Sequence, residues 1–331
     1  MSDLYQAAQE FKARLLRGDR AAAGDLLRAY RLAASRIEAR VAELTAQITE
    51  ARRGGSIVSS TWLYERDRLA RLRLEILSEV NNFSAVALIR VAQEQAAARR
   101  LGAAAAHEII GAGNGAQISV RLGALHPSAV AASASFAADG SPLRQLFFER
   151  AGQLAQSVSD ELVSGVASGA GGRVIAGRVR TLLGGDLARA LTIARTEVLR
   201  AYRTAGLETY RAAGIVSYRW LAAKDLRTCL VCLALDGTVY PVRTPMPAHV
   251  NCRCTFVPVL ADEEAQIETA AEWFDSLSDG AKRQMLGPVA YEAYRAGQIS
   301  LSDFVGFRQS ARWGVTAYRR PLTEIISNTQ E

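Results

Sequence analysis

Of 331 residues, 49% are apolar and only 7% aromatic; the length suits about two structural units, and the alanine-rich composition suits thin helix-on-helix packing. No window approaches eighteen consecutive strongly apolar residues, and the N-terminal MSDLYQAAQEFK carries charges where a signal peptide needs an apolar stretch, so the expectation is a soluble protein, cytoplasmic when made. The net charge of +7 divides into 33 basic and 22 acidic side chains over residues 1–260 and 7 and 11 over 261–331, a moderate excess without the dense basic patch and interleaved aromatics of a dedicated nucleic-acid site.

From Asp25 the residues Leu27, Tyr30, Ala34, Ile37, Val41, Leu44 and Ile48 recur every three or four positions and stop at Gly54-Gly55, which predicts one amphipathic helix. After Ser59 and Ser60 a second stripe, Leu69, Leu72, Ile76, Val80, Phe83 and Ala87, runs on into GAAAAHEII, so the two helices form an antiparallel hairpin over residues 1–110. Residues 111–140 are weakly patterned and read as a connector, with one short helix after His126-Pro127. Pro142 opens a further helix, and Gly171-Gly172 and Gly184-Gly185 punctuate two more before a stop at Gly214.

There the period changes. IVSYRWLAA alternates, placing Val216, Tyr218 and Trp220 on one face of a strand, Asp236-Gly237 between CLAL and TVYPV signals a hairpin turn, and CTFVPVL supplies another strand. Residues 215–260 thus form a small β module inside a 141–260 domain, and a core so small needs a staple. Four short helices are expected in 261–331, the last of them SLSDFVGFRQSA. The fold class is α+β, mostly α-helical.

All four cysteines and one of three histidines lie in RTCLVCLALDGTVYPVRTPMPAHVNCRC, residues 227–254. In reduced surroundings clustered thiols point to metal before disulfides. Cys-x2-Cys on a tight turn and His-x2-Cys-x-Cys on a second loop suit a tetrahedral Zn²⁺. Five donors compete for four positions: Cys229, Cys232, His249 and Cys252 are favoured, with Cys254 as the alternative fourth ligand. A filled site with three thiolates leaves no open position for water, so the zinc is read as structural and no catalytic residue is expected. A zinc-dependent HNH-like nuclease, or a DNA-binding protein associated with packaging, is the rival. A nuclease needs a base histidine besides the ligands, and the remaining two, His107 and His126, lie far away in sequence.

The runs ARTEVLRAYRTAGLETYRAAG, YRWLAAKDLRTCLVCLALDGTVY and PAHVNCRCTFVPV together resemble the phage Mu F-like head morphogenesis family of minor capsid proteins, over about residues 165–260. The family pattern falls on Arg195, Thr196, Glu197, Asp225, Arg227, Thr228, Cys229, Cys232, Asp236, Gly237, His249, Asn251, Cys252, Arg253 and Cys254. Glu197 is expected to hold Arg227 or Arg253, and Asp225 and Thr228 to cap the turn that presents Cys229.

The resemblance implies a few-copy protein made in the host cytoplasm and then held in the virion, inside the head near the portal vertex. Its implied partners are portal protein and major capsid protein, with packaged double-stranded DNA against the basic body, no membrane during assembly and no small-molecule substrate. The N-terminal hairpin is expected either to serve as the partner-binding arm or to pack on the middle helices, since one stripe suits both. Some proteins with this module add a toxin or modifying domain; the 71 residues that follow it here read as too few, so no enzyme is expected.

Overall fold

The structure, a computed structural model, describes residues 3–112, 136–137, 140–149, 151–260, 269–311 and 314–328. The helix expected after His126-Pro127 lies outside these residues. The described chain is mostly helical with two small antiparallel sheets, and none of its helices is long and apolar enough to cross a membrane.

Helix α1 (Asp3–Arg53) begins 22 residues before the expected start at Asp25. Gly18 and Gly24 lie inside it, because an interior glycine costs only about 1 kcal/mol and the buried stripe of Phe11, Leu15, Ala22 and Leu26 outweighs that. Gly55, at φ 81°, terminates the helix; α2 (Ser60–Tyr64) and a short 3-10 turn lead to α3 (Arg68–Ala112). The two long helices run antiparallel: Asp25 pairs with Arg90, Arg36 with Glu79 and Arg40 with Glu75, the partner numbers falling as those of α1 rise.

After α4 (Leu143–Phe148) and α5 (Ala151–Ala167) comes α6 (Gly172–Ala212), a single helix that passes through Gly184-Gly185 where two segments were expected. Here too the buried positions Val179, Leu183, Ala190 and Ile193 continue across the glycines.

Packing divides the chain into two compact units assembled from separated stretches: residues 1–18, 95–140 and 196–331 in the first, 19–94 and 141–195 in the second. Within the second, the hairpin buries its stripe against the middle helices. Tyr30 meets Phe83 edge-on at 4.8 Å between centroids and donates its hydroxyl to Leu183 O at 2.6 Å, while Ser84 donates to Phe147 O at 3.1 Å. That apolar stripe is therefore used inside the chain.

In the first unit β1 (Ser217–Leu221) lies between β2 (Val239–Pro241) and β3 (Thr255–Pro258), antiparallel to both. The expected face holds for Tyr218 and Trp220, both fully buried, whereas Val216 precedes the strand and is 76% exposed. CLAL is not a strand: Leu230–Ala234 form α7, so Asp236-Gly237 turns from helix to strand rather than from strand to strand. Cys229 caps this helix, and five apolar residues in succession fit a short buried helix as well as a strand.

The tail continues as α8 (Ala270–Ser276), α9 (Asp279–Leu286) and α10 (Pro288–Arg295), then departs from expectation. SLSDFVGFRQSA is a 3-10 turn followed by β4 (Val305–Ser310), which pairs with β5 (Gly314–Arg319) before α11 (Leu322–Asn328). Burial does not alternate in this hairpin, since β4 is half-buried to exposed throughout and β5 buries the successive Thr316 and Ala317, so its sequence lacks the alternation that marks a half-buried strand. Tail and module share one core: Phe274, Tyr291, Phe304 and Ala317 join Tyr218, Trp220, Leu230 and Phe256. The module thus has far more buried apolar surface than its own residues could supply.

Helices α3 and α6 meet within this unit at two glycines. A Cβ on Gly102 would lie 2.2 Å from Tyr202 O, and one on Gly206 would lie 2.7 Å from the Phe256 ring. Gly102→Ala is expected to destabilise by about 2 kcal/mol despite its better helix propensity, because the obstacle is backbone. Gly177→Ala in α6, with nothing within 4 Å of the new methyl, should be neutral or stabilising by up to about 1 kcal/mol. Calorimetric melting of the two variants beside the parent checks both signs.

Candidate metal centre

The ligand residues arrive on two short loops. Asp225 organises the first: its Oδ1 accepts from Arg227 N at 2.8 Å and from Thr228 Oγ1 at 3.2 Å, while Thr228 N donates to Asp225 O at 2.8 Å. This is the cap expected of Asp225 and Thr228, and it delivers Cys229 to the start of α7 with Cys232 one turn on. The second loop turns at Asn251, whose φ of 64° is left-handed and whose N–H donates to Thr196 Oγ1 at 3.2 Å. Asparagine tolerates that region better than most side chains.

Arg253 then reaches across and grips Asp225 with both guanidinium nitrogens, at 2.9 and 3.0 Å. Arg227 also faces Asp225, at 3.6 Å from a 77% exposed side chain, and contributes little beside that bidentate pair. Glu197 does not hold either arginine as expected. Fully buried, it pairs with Arg200 on its own helix, at 2.7 and 2.9 Å, because a helical arginine three residues on lies on the same face. Arg195 pairs with Asp19 at 2.8 Å in the other compact unit. Asp236 accepts from Ala222 N at 2.6 Å and Ala270 N at 2.8 Å, tying module to tail, and Gly237, at φ 79°, donates to Trp220 O at 2.9 Å.

The donors converge. His249 Nε2 lies 3.1 Å from both Cys229 Sγ and Cys232 Sγ, and Cys232 Sγ lies 3.7 Å from Cys252 Sγ. Two overlapping triads, Cys229–Cys232–His249 and Cys232–Cys252–Cys254, share Cys232, with the ligand atoms of each within 4.8 Å of one another. A tetrahedral zinc with Zn–S bonds of about 2.3 Å sets its sulfurs about 3.8 Å apart, so the 3.7 Å pair fits. The imidazole is oriented as well: Nδ1 donates to Val250 O at 2.6 Å, which leaves Nε2 to face the sulfurs. The donor set is soft, partly to fully buried and compatible with a structural metal.

Without metal the cluster holds charge by mutual support. The Cys232 thiol, hydrogen-bonding to Cys229, brings the latter down to about 5, and His249 reinforces the effect. Burial opposes the charged form of His249, but Cys229 and Cys252 outweigh it and hold the imidazole up to about 10. Burial likewise opposes ionisation of Cys252, yet hydrogen bonds from Cys232 and Cys254 and the charge of Arg203 keep it well below the usual thiol range. Cys232 is pushed up by hydrogen-bonding to Cys229, and Cys254 by burial.

Two cations beside the cluster escape a reading by motif. Arg203, 7% exposed, donates from Nη2 to Cys252 O at 2.6 Å and Cys254 O at 2.9 Å, and from Nε to Cys254 O at 3.2 Å. Lys12, also 7% exposed, has Cys254, Asp225, Arg253 and Lys224 as its titratable neighbours. Their signal in the sequence is a charge on a buried stripe: Arg203 between Leu199 and Gly206–Tyr210, Lys12 between Ala8 and Leu15. Arg203→Met, which keeps the stem and leaves two buried carbonyls without a donor, is expected to cost about 3 kcal/mol. Arg203→Lys, unable to fork, should recover only part of this; denaturant titration of the three proteins in chelator gives the ranking.

Residues 156–257 match the family model described as Phage Mu protein F like protein. No curated protein and no solved structure matches the chain. The matched segment takes in both ligand loops, all four cysteines, His249 and the buried Arg203, the same stretch whose motifs carry the resemblance. Over this central segment the chain is similar to the Mu F-like family.

Proposed function

We propose that the chain is a non-enzymatic component of a phage head, made in the host cytoplasm and incorporated inside the head near the portal vertex. There it contacts portal and major capsid protein and supports head assembly and DNA packaging or ejection. The observation that carries this reading is the family match over 156–257, centred on the donor cluster. In this reading residues 141–260 are the Mu F-like domain, flanked by the 1–110 hairpin, the 111–140 connector and the 261–331 extension. The basic body over residues 1–260 lies against packaged duplex.

The cofactor proposed is one structural Zn²⁺ held by Cys229, Cys232, His249 and Cys252, with Cys254 competing for the fourth position. Bound there, zinc would lock the two loops together; the protein's own residues supply the orientation, through His249 on Val250 O, Arg253 on Asp225 and Arg203 on the Cys252 and Cys254 carbonyls. His107, on α3, belongs to no metal-competent cluster among the described residues, and His126 lies outside them; the nuclease alternative would need one of the two as its base.

Purified, reduced protein is expected to hold one zinc per chain, lost in Cys229→Ser and in only one of Cys252→Ser and Cys254→Ser. Loading has to displace the protons of the Cys232 thiol and the His249 imidazolium, so zinc should release about two protons near neutral pH and bind more weakly as pH falls. Elemental analysis and calorimetry in buffers of different ionisation enthalpy measure the two quantities. Four freely titrating thiols with no zinc bound at any pH between 6 and 8 would discard the metal while leaving the family match untouched. The assembly reading is checked separately, by deleting the gene and examining heads for portal-containing, DNA-filled particles.

A further inference from the structure

We propose that the turn between α1 and α3 is a docking surface for an acidic segment of a partner protein. The inference deepens the assembly reading and rests on it. The apolar stripes of the hairpin are consumed within its own compact unit, so they offer a partner nothing. The turn, residues 54–67, does the opposite. Ile57 is 91% exposed and Tyr64 62% exposed, while Leu63 between them and α3 is fully buried and anchors the segment.

The turn is also held in place. Arg66 and Asp67 both take left-handed backbone, at φ 52° and 55°, a conformation that side-chain-bearing residues adopt rarely and singly. Two guanidiniums fix it: Arg68 Nη1 donates to Trp62 O at 2.7 Å, and Arg71 Nη2 donates to Arg66 O at 2.6 Å. The Arg68 guanidinium also covers the half-buried Trp62 ring, 3.8 Å from its centroid. Beside the turn lies a groove of about 570 Å³, with Leu44, Gln47, Trp62, Arg66, Arg71 and Leu72 among its walls. A rigid surface combining Trp, Tyr and Arg with an exposed aliphatic has the composition of an interface centre.

Charge selects the occupant. The carboxylates that line the groove are already engaged, Glu43 and Glu75 on Arg40 at 2.9 and 3.2 Å and Glu50 on Arg53 at 3.8 Å; of the two on the turn outside that lining, Glu65 faces Arg68 at 3.6 Å and Asp67 follows Arg66. Neither Arg66 nor Arg71 has a carboxylate partner among the described residues, so two guanidiniums remain to be neutralised from outside. A protein segment that sets carboxylates beside an apolar side chain satisfies both the arginines and the Ile57–Tyr64 surface. A bare phosphate backbone would meet the first need and leave the second in water.

The test uses the full chain co-assembled with the portal and major capsid proteins of the same phage. A benzophenone amino acid is placed at Tyr64 and, as a control, at the exposed Val216. Light should join the Tyr64 position, and not the Val216 position, to one head protein through an acidic peptide identified by mass spectrometry. Ile57→Asp and Arg66→Glu, introduced with the crosslinker, should each lower that yield at least about tenfold, the scale of a central interface residue, whereas Arg66→Lys should retain most of it. Ile57→Asp should leave the melting temperature unchanged, which separates lost docking from lost folding. Heads that take up the chain normally but show no Tyr64 adduct, or an adduct to DNA, or one indifferent to both substitutions, overturn the docking proposal and leave the assembly reading standing. Heads that exclude the unsubstituted chain overturn the assembly reading, and the docking proposal with it.

Discussion

The buried guanidinium of Arg203 sets the path of the loop on which the donor cluster depends. By donating to the carbonyls of Cys252 and Cys254 it fixes two cysteines against α6 through their backbone, independently of anything the sulfurs do. Asn251 on Thr196 and the Arg253–Asp225 fork fix the same loop at other points, and Asp225 is also the residue that shapes the turn before Cys229. The two ligand loops are consequently coupled through a carboxylate as well as through their thiols. Such a centre is assembled in advance, so a metal entering it spends little of its binding energy on ordering the chain.

Preassembly has an electrostatic cost, which the same residues offset. Bringing four thiols and an imidazole together with little water would ordinarily suppress every charge. Here the charge of Arg203 favours the thiolate of Cys252, and the Cys232 thiol and His249 do the same for Cys229. Removing either partner would strand the other in a poorly solvated place, which is where the breaking of an ion pair is most damaging. The core shared by module and tail makes this arrangement tolerable, since Phe274, Tyr291 and Phe304 contribute burial that residues 215–260 lack by themselves. A metal bound there would lock an already packed unit, a lesser role than the sole staple expected from the module's size.

The long helices were legible because their stripes repeat over many turns; Tyr30, Ile37, Val41, Leu69, Ile76 and Phe83 are buried as the period requires. Their ends and continuity were harder to read, since Gly18, Gly24 and Gly184-Gly185 look like stops locally while packing far away in sequence carries the helix through them. Strand β1 announced itself through Tyr218 and Trp220, but the neighbouring CLAL run had no periodicity to separate helix from strand, and the β4–β5 hairpin, whose burial does not alternate, had none to announce a strand at all. At the site, ligand types and spacing pointed to the donor cluster. The partner of Glu197 did not follow from spacing along the chain, because Arg200 one turn away competes with any arginine brought in by folding. Arg203 and Lys12 were hidden for a simpler reason: among 40 basic residues, nothing local distinguishes a buried cation from a solvated one.

The scarcity of lysine has a practical side. Of the three lysines, Lys12 is 7% exposed and the side chain of Lys224 is 7% exposed, while Lys282, with its ammonium on Asp275 O, keeps the greater access to solvent. Among its lysines, the folded chain would therefore be registered by amine-directed reagents chiefly through one position in its tail. Neighbours touching the long helices or the β module would go unrecorded in an amine-based proximity map of an intact particle. Carboxylate-directed or guanidine-directed chemistry, for which this chain has dozens of addresses, is the means by which its surroundings become visible.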